Sequence, residues 1–173
     1  MPKSRFNPDG DKIVSSNSGG GIRLWDIKTG DSIDILVLDN FLDMITSVAF
    51  SPSGEKIVVG DANGVVRLFD IMTGEQIGDS LLGHNERFYI TGVAFSPDGK
   101  KIISASGDGT VRLWISPTEN QIDKPFVEHN SAIHSVAFHP SLFSGTGEGL
   151  IISGDEDGAI LFWDVSTSNT FVN

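Results

Sequence analysis

The chain contains no cysteine. That removes a disulfide framework, a zinc-thiolate site and a thiol nucleophile at one stroke. No Asn-x-Ser/Thr acceptor occurs, and the opening MPKSRFNPDG has no apolar core of the kind a signal peptide needs. No uninterrupted apolar run approaches the ~18 residues of a membrane span. These features lead us to expect a soluble, intracellular, cytoplasmic protein with no membrane partner. Positive charge is scarce: 12 Lys and Arg stand against 23 Asp and Glu, for a net charge of −11. With no Lys/Arg run as a local exception, the long-range field repels phosphate backbones, so nucleic acid is not an expected partner. Helix-period patterning is missing too, and the glycine clusters, including Gly19-Gly20-Gly21, match no phosphate-cradling spacing before a helix. No nucleotide and no other cofactor is expected.

What is present is a repeat. The phrase VAFSPDGKKIISASGDGTVRLW, from Val93 to Trp114, recurs in degenerate form. Phe6, Phe50, Phe95 and Phe138 mark its first beat, and Trp25, Phe69, Trp114 and Trp163 its last. Both series advance by about 45 residues, the period of a four-stranded propeller blade. In the cleanest copy, Thr91–Ser96 reads as a strand that turns at Pro97-Asp98-Gly99 into a second strand, Lys101–Ala105. Asp108-Gly109 makes the next hairpin, Thr110–Trp114 is rich in β-branched and aromatic residues, and Gln121–Val127 supplies an outer fourth strand. The same parse gives blades over residues 1–38, 46–82, 91–127 and 133–173, forming one all-β domain of four four-stranded antiparallel blades. In the fourth, HPSLFSGTGEGL replaces the short first turn, so residues 142–148 read as a mobile loop.

Gly83-His84, Asp108-Gly109, Trp25-Asp26 and Trp163-Asp164 fall at the spacing of the WD-repeat β-propellers, and the chain resembles that family over essentially its whole length. The resemblance implies a hydrogen-bonded tetrad of His, Ser/Thr, Asp and Trp inside a blade. Two repeats match it: His84, Ser104, Asp108 and Trp114 in blade 3, and His129, Ser153, Asp157 and Trp163 in blade 4. Blade 2 has Val59, Asn63 and Phe69 in place of Ser, Asp and Trp, and no His. Replacing every partner together is nearly neutral, whereas losing one leaves the others unsatisfied at about 1–3 kcal/mol. Blade 1 keeps Ser15 and Trp25 but has Gly19 at the Asp position, which makes it the softest blade.

Ser, His and Asp in one cluster also invite comparison with an acyl-transfer triad. The Trp argues against it, because in the implied geometry the hydroxyl accepts the indole N–H and is no longer a free nucleophile. We therefore expect no enzyme activity. No metal is expected either. Asp155-Glu156-Asp157-Gly158 offers too few alternating oxygen ligands for a calcium loop, and His134 and His139, five apart on a strand, point to opposite faces.

The family resemblance implies a rigid platform that presents loops to protein partners: a non-catalytic protein–protein interaction scaffold within a larger signalling or sensor protein. By the same geometry the narrow rim is lined by Met44 and Thr46, Tyr89 and Thr91, Ala132 and His134, with Ala62, Gly107 and Glu156 before or at the hairpin tips. Arg87-Phe88-Tyr89 concentrates residue types that dominate binding energy. The alternative is a propeller enzyme or small-molecule-binding protein with a central-channel site, which would need acidic or His side chains on several first strands; SVAF, GVAF and SVAF carry no acidic residue. Rings of this family usually close with seven or eight blades. Four blades imply either part of a longer chain or a homodimer that completes an eight-bladed ring.

Overall fold

The computed structural model describes residues 3–17, 20–36, 44–116, 121–126, 129–140, 149–165 and 169–172. Every regular element in them is a β-strand, and no helix among the described residues is long and apolar enough to cross a membrane. The blade 4 insertion at 142–148 and Gly19 lie outside the described residues.

Four antiparallel sheets follow one another along the chain. The first holds β1 (Ser4–Phe6), β2 (Lys12–Ser16), β3 (Ile22–Asp26) and β4 (Ser32–Leu36). The second holds β5 (Ile45–Phe50), β6 (Lys56–Asp61) and β7 (Val66–Asp70). The third has β8 (Ile90–Phe95), β9 (Lys101–Ser106), β10 (Val111–Ile115) and β11 (Gln121–Phe126). The fourth has β12 (Ile133–Phe138), β13 (Leu150–Asp155), β14 (Ile160–Asp164) and β15 (Asn169–Val172). Each is a meander with strands paired in chain order.

The expectation of four strands in every blade is corrected in blade 2, whose sheet has three. Along the outer edge of β7 the chain makes only two isolated bridges, Phe69 with Gln76 and Val66 with Leu81. Between them Gly78 sits at φ 67°, a left-handed conformation that breaks the extended run. Turn chemistry elsewhere follows the residues. Gly99, at φ 72°, closes the first hairpin of blade 3, where the Asp98 carboxylate accepts from Ser96 Oγ at 2.6 Å and from the Lys100 N–H at 3.0 Å.

The core lies between blades. One cluster joins Val14 and Ile22 of blade 1 to Ile45, Ile57 and Phe69 of blade 2. A second joins Val58, Val66 and Leu68 to Ile90, Ile102 and Trp114, and a third joins Ile103, Val111 and Leu113 to Ile133, Ile151 and Trp163. Close approach is built in at the second junction, where a Cβ on Gly60 would stand 2.3 Å from Ile90 Cγ2. Among the described residues no cluster joins blade 4 back to blade 1, and no closed ring is seen. The outer face of blade 4 is open: Ile152 and Ile160 are 37% and 51% exposed, while Ile103 and Val111, at the same repeat positions in blade 3, are both at 0%. Blade 1 has the complementary deficit, with Phe6 exposed and Trp25 only partly buried.

Candidate functional site

In blade 3 the four residues that the repeat pattern picked out meet. His84 Nε2 lies 2.7 Å from Ser104 Oγ, and Trp114 Nε1 donates to the same oxygen at 2.9 Å. His84 Nδ1 faces the Asp108 carboxylate at 3.2 Å and Thr110 Oγ1 at 3.0 Å. The carboxylate is an acceptor only, so Nδ1 carries the proton and Nε2 accepts from the serine hydroxyl. Burial works to raise the Asp108 pKa, but donation from His84, the Asn85 N–H and Thr110 outweighs it and holds the carboxyl well below its ordinary value. Ser104 is completely buried, its hydroxyl proton donated to the imidazole and its oxygen accepting from the indole, so it cannot reach a substrate.

Blade 4 repeats the arrangement with one substitution of role. His129 Nε2 lies 2.6 Å from Ser153 Oγ, and Trp163 Nε1 donates to that oxygen at 2.7 Å. The carboxylate on His129 Nδ1 is Asp155, at 2.8 Å, and not the expected Asp157. Asp155 ends β13 opposite Ile133, where its other oxygen accepts the Ala159 N–H at 2.8 Å. Asp157 sits at the exposed hairpin tip. In blade 3 the strand-end position is Ser106, which has no carboxylate to offer, so the tip residue Asp108 turns inward. Hydrogen bonding to His129 is the main cause that lowers the Asp155 pKa.

Blade 2 was expected to have replaced its polar members together by apolar or neutral ones. Val59 and Phe69 are indeed buried. The same strand-end position, however, carries Asp61, fully buried, which accepts the Asn63 and Val65 N–H groups at 2.9 Å each and pairs with Arg67. The reading that followed His, Ser, Asp and Trp alone missed this ion pair; the signal was Asp61 and Arg67 on facing strands. In blade 1, Trp25 Nε1 still donates to Ser15 Oγ at 2.7 Å.

The rim residues come from a repeated backbone feature. Pairing of the first and second strands slips between Ile45 and Ser47, between Ile90 and Gly92, and between Ile133 and Ser135. Each slip leaves one residue out of register: Thr46, Thr91 and His134. A bulge re-aims its side chain and twists the strand. Just beside it the chain is tied by Ala62 N–H to Met44 O at 2.9 Å, Gly107 N–H to Tyr89 O at 3.1 Å and Glu156 N–H to Ala132 O at 2.9 Å.

A cavity of about 460 Å³ opens there. Five of the six residues chosen as partner contacts line it: Met44, Arg87, Tyr89, Thr91 and His134. Thr46 and Ala62 line it as well, but Glu156 does not. Lys3 and Ile90 also contribute, and sequence reasoning passed over both. Lys3 was legible, since it precedes the first strand of blade 1 as the other rim residues precede or begin theirs. Tyr89 and Phe88 are 47% and 41% exposed, so Phe88 does not withdraw into the blade. Thr46 Oγ1 is occupied, donating to the carbonyls of Gly60 and Ile90, which staples blade 2 to blade 3.

At the opposite end of the first strands a second hollow of about 430 Å³ is lined by repeated Phe and Pro residues of all four blades, such as Phe6, Pro8, Phe95 and Pro97. Among the described residues no group of three or more His, Cys, Asp or Glu side chains comes together in a way that could hold a metal.

A search of curated proteins found no match to this chain. The family model for the WD domain, G-beta repeat, matches residues 4–26, 37–70, 75–114 and 121–164. Those four matches cover most of the sequence, each takes in the first three strands of one sheet, and the chain therefore belongs to the WD40 repeat family.

Proposed function

We propose that this chain is a non-catalytic scaffold that binds a protein partner at the rim cavity. Repeats of this family are generally protein-interaction scaffolds. The observation that carries the reading here is convergence: Met44, Arg87, Tyr89 and His134, from three successive repeats, border one hollow. Tyr and Arg supply most of the binding energy once desolvated at the centre of an interface. The polar groups inside the blades are committed to one another, which leaves the rim as the surface available for recognition. Capture of a partner from cell extract, followed by titration of the protein retained, tests this. Tyr89→Ala should weaken affinity about ten-fold or more without lowering thermal stability. Unchanged affinity in Tyr89→Ala, Arg87→Ala and His134→Ala would remove the rim from consideration.

A second reading concerns assembly, and the open sheet faces favour it. The apolar face of blade 4 offers what blades 2 and 3 offer their successors, and blade 1 offers the matching face that their successors present. Two copies joined blade 4 to blade 1 would make a closed eight-bladed ring by two equivalent junctions. Light scattering should give twice the chain mass, and Ile152→Asp should return it to the monomer. A stable monomer across a wide concentration range removes this reading and leaves the rim proposal untouched.

A further inference from the structure

We infer that the rim cavity is an anion site, which takes the acidic side chain of a linear peptide, either a carboxylate or a phosphate. This deepens the scaffold reading and rests on it. The chain has 23 acidic side chains and 12 basic ones, yet none of the cavity's lining residues is Asp or Glu. Lys3, Arg87 and the imidazole of His134 line it instead. Some cations elsewhere have internal partners. Arg67 is paired with Asp61, and the Arg23 guanidinium lies 5.5 Å from the centre of the Trp25 ring. Among the described residues neither the Arg87 guanidinium nor the Lys3 ammonium meets a carboxylate.

A guanidinium with no internal partner presents a planar fork that matches a carboxylate or phosphate through two parallel hydrogen bonds. The Tyr89 hydroxyl adds a neutral donor, and Met44 and Ile90 supply apolar surface for residues flanking the anion. A volume of about 460 Å³ holds an amino-acid side chain with part of its backbone, which fits a peptide segment better than a lone ion. The net charge of −11 acts against any anion, but at physiological salt charges beyond about 8 Å are largely screened, so the groups lining the cavity weigh most.

Tyr89 is the sole tyrosine of the chain, so ring-labelled tyrosine gives a single resonance inside the site. The full chain would be titrated with capped pentapeptides of alanine with Glu, phosphoserine or Gln at the centre, and separately with inorganic phosphate. The Glu or the phosphoserine peptide should shift the Tyr89 signal saturably, about ten-fold more tightly than the Gln peptide, and whichever does so identifies the anion. In the double variant Lys3→Gln, Arg87→Gln that advantage should disappear, while the unfolding midpoint stays in place. An equal response to the Gln peptide, no response to any peptide, or an advantage that survives the double variant overturns the proposal. Inorganic phosphate that binds as tightly as the phosphoserine peptide overturns its peptide part. Partner capture by Tyr89→Ala reads the scaffold proposal separately, so a rim that binds without charge preference is distinguishable from a rim that does not bind.

Discussion

Blades 3 and 4 carry nearly the same words and use them differently. In blade 3 the tip residue Asp108 meets the histidine; in blade 4 the strand-end residue Asp155 does, and Asp157 is left at the tip. In blade 3 the outer face, with Ile103 and Val111, is sealed by the next sheet, whereas the same positions of blade 4 face solvent. A repeat therefore assigns positions and not roles. What a residue does depends on which neighbour reaches the spot first and on what lies over the sheet.

The strongest way to sharpen this contrast is Trp163→Ala. Trp163 is 1% exposed, packs on Phe126 with ring centroids 5.1 Å apart, and bonds Ser153, so truncation should cost about 3–5 kcal/mol. Trp25→Ala, in the partly covered blade 1, should cost clearly less. Denaturant unfolding measures both, and equal losses would mean that blade 1 is as well packed as blade 4. Next comes the pair of isoleucines. Ile103→Ala should destabilise by about 2–5 kcal/mol, while Ile152→Ala should stay under about 1 kcal/mol at dilutions where the chain is alone. A large loss at Ile152 that grows with protein concentration would report a partner on that face.

Smaller effects test the exchanged carboxylates. Asp155→Ala and His129→Ala should each cost about 1–3 kcal/mol, because each leaves a buried partner unsatisfied, and Asp157→Ala should fall within about 0.5 kcal/mol of zero. The reverse order for the two aspartates would restore the tip residue to the tetrad. The smallest effect is on pH. The Asp108 carboxyl is lowered from 3.8, so its contribution is fully present above that value and is lost as pH falls through the folded pKa. Asp108→Asn should flatten the fall in stability between about pH 5 and pH 2, seen in thermal melts across that range. A slope identical to the unmodified protein would mean that the His84 contact gives the carboxylate no preference for its charged form.

Period, turn residues and β-branched runs were enough to read the four sheets, because those signals are local: Pro97-Asp98-Gly99 turns wherever it stands. The missing fourth strand of blade 2 was less legible, since Gln76 to Leu81 is extended at both ends and Gly78 interrupts it only through its backbone angle. The buried half of the site was read by matching letters to a pattern, which failed where two aspartates compete for one histidine. Competition of that kind is settled by strand register, and Asp155 wins because it lies opposite Ile133 in the ladder. Rim positions for Met44, Tyr89, Thr91 and His134 followed from the family resemblance, and Arg87 followed from its residue type. Their shared cavity did not, because convergence of three blades is a property of how the sheets stack.

The slipped pairing at the start of the first strands of blades 2, 3 and 4 separates what a blade shows from what holds it together. A residue in regular pairing must satisfy a cross-strand neighbour and a packed face, so its identity is constrained from both sides. The out-of-register residue answers to neither, and two unlike side chains, threonine and histidine, occupy it in successive repeats. Thr46 acts as a staple between blades, while His134 is exposed. Such a position lets one substitution change the vocabulary of the rim while the grammar of the blade stays intact, and it is the natural first place to edit when redirecting this scaffold toward a new ligand.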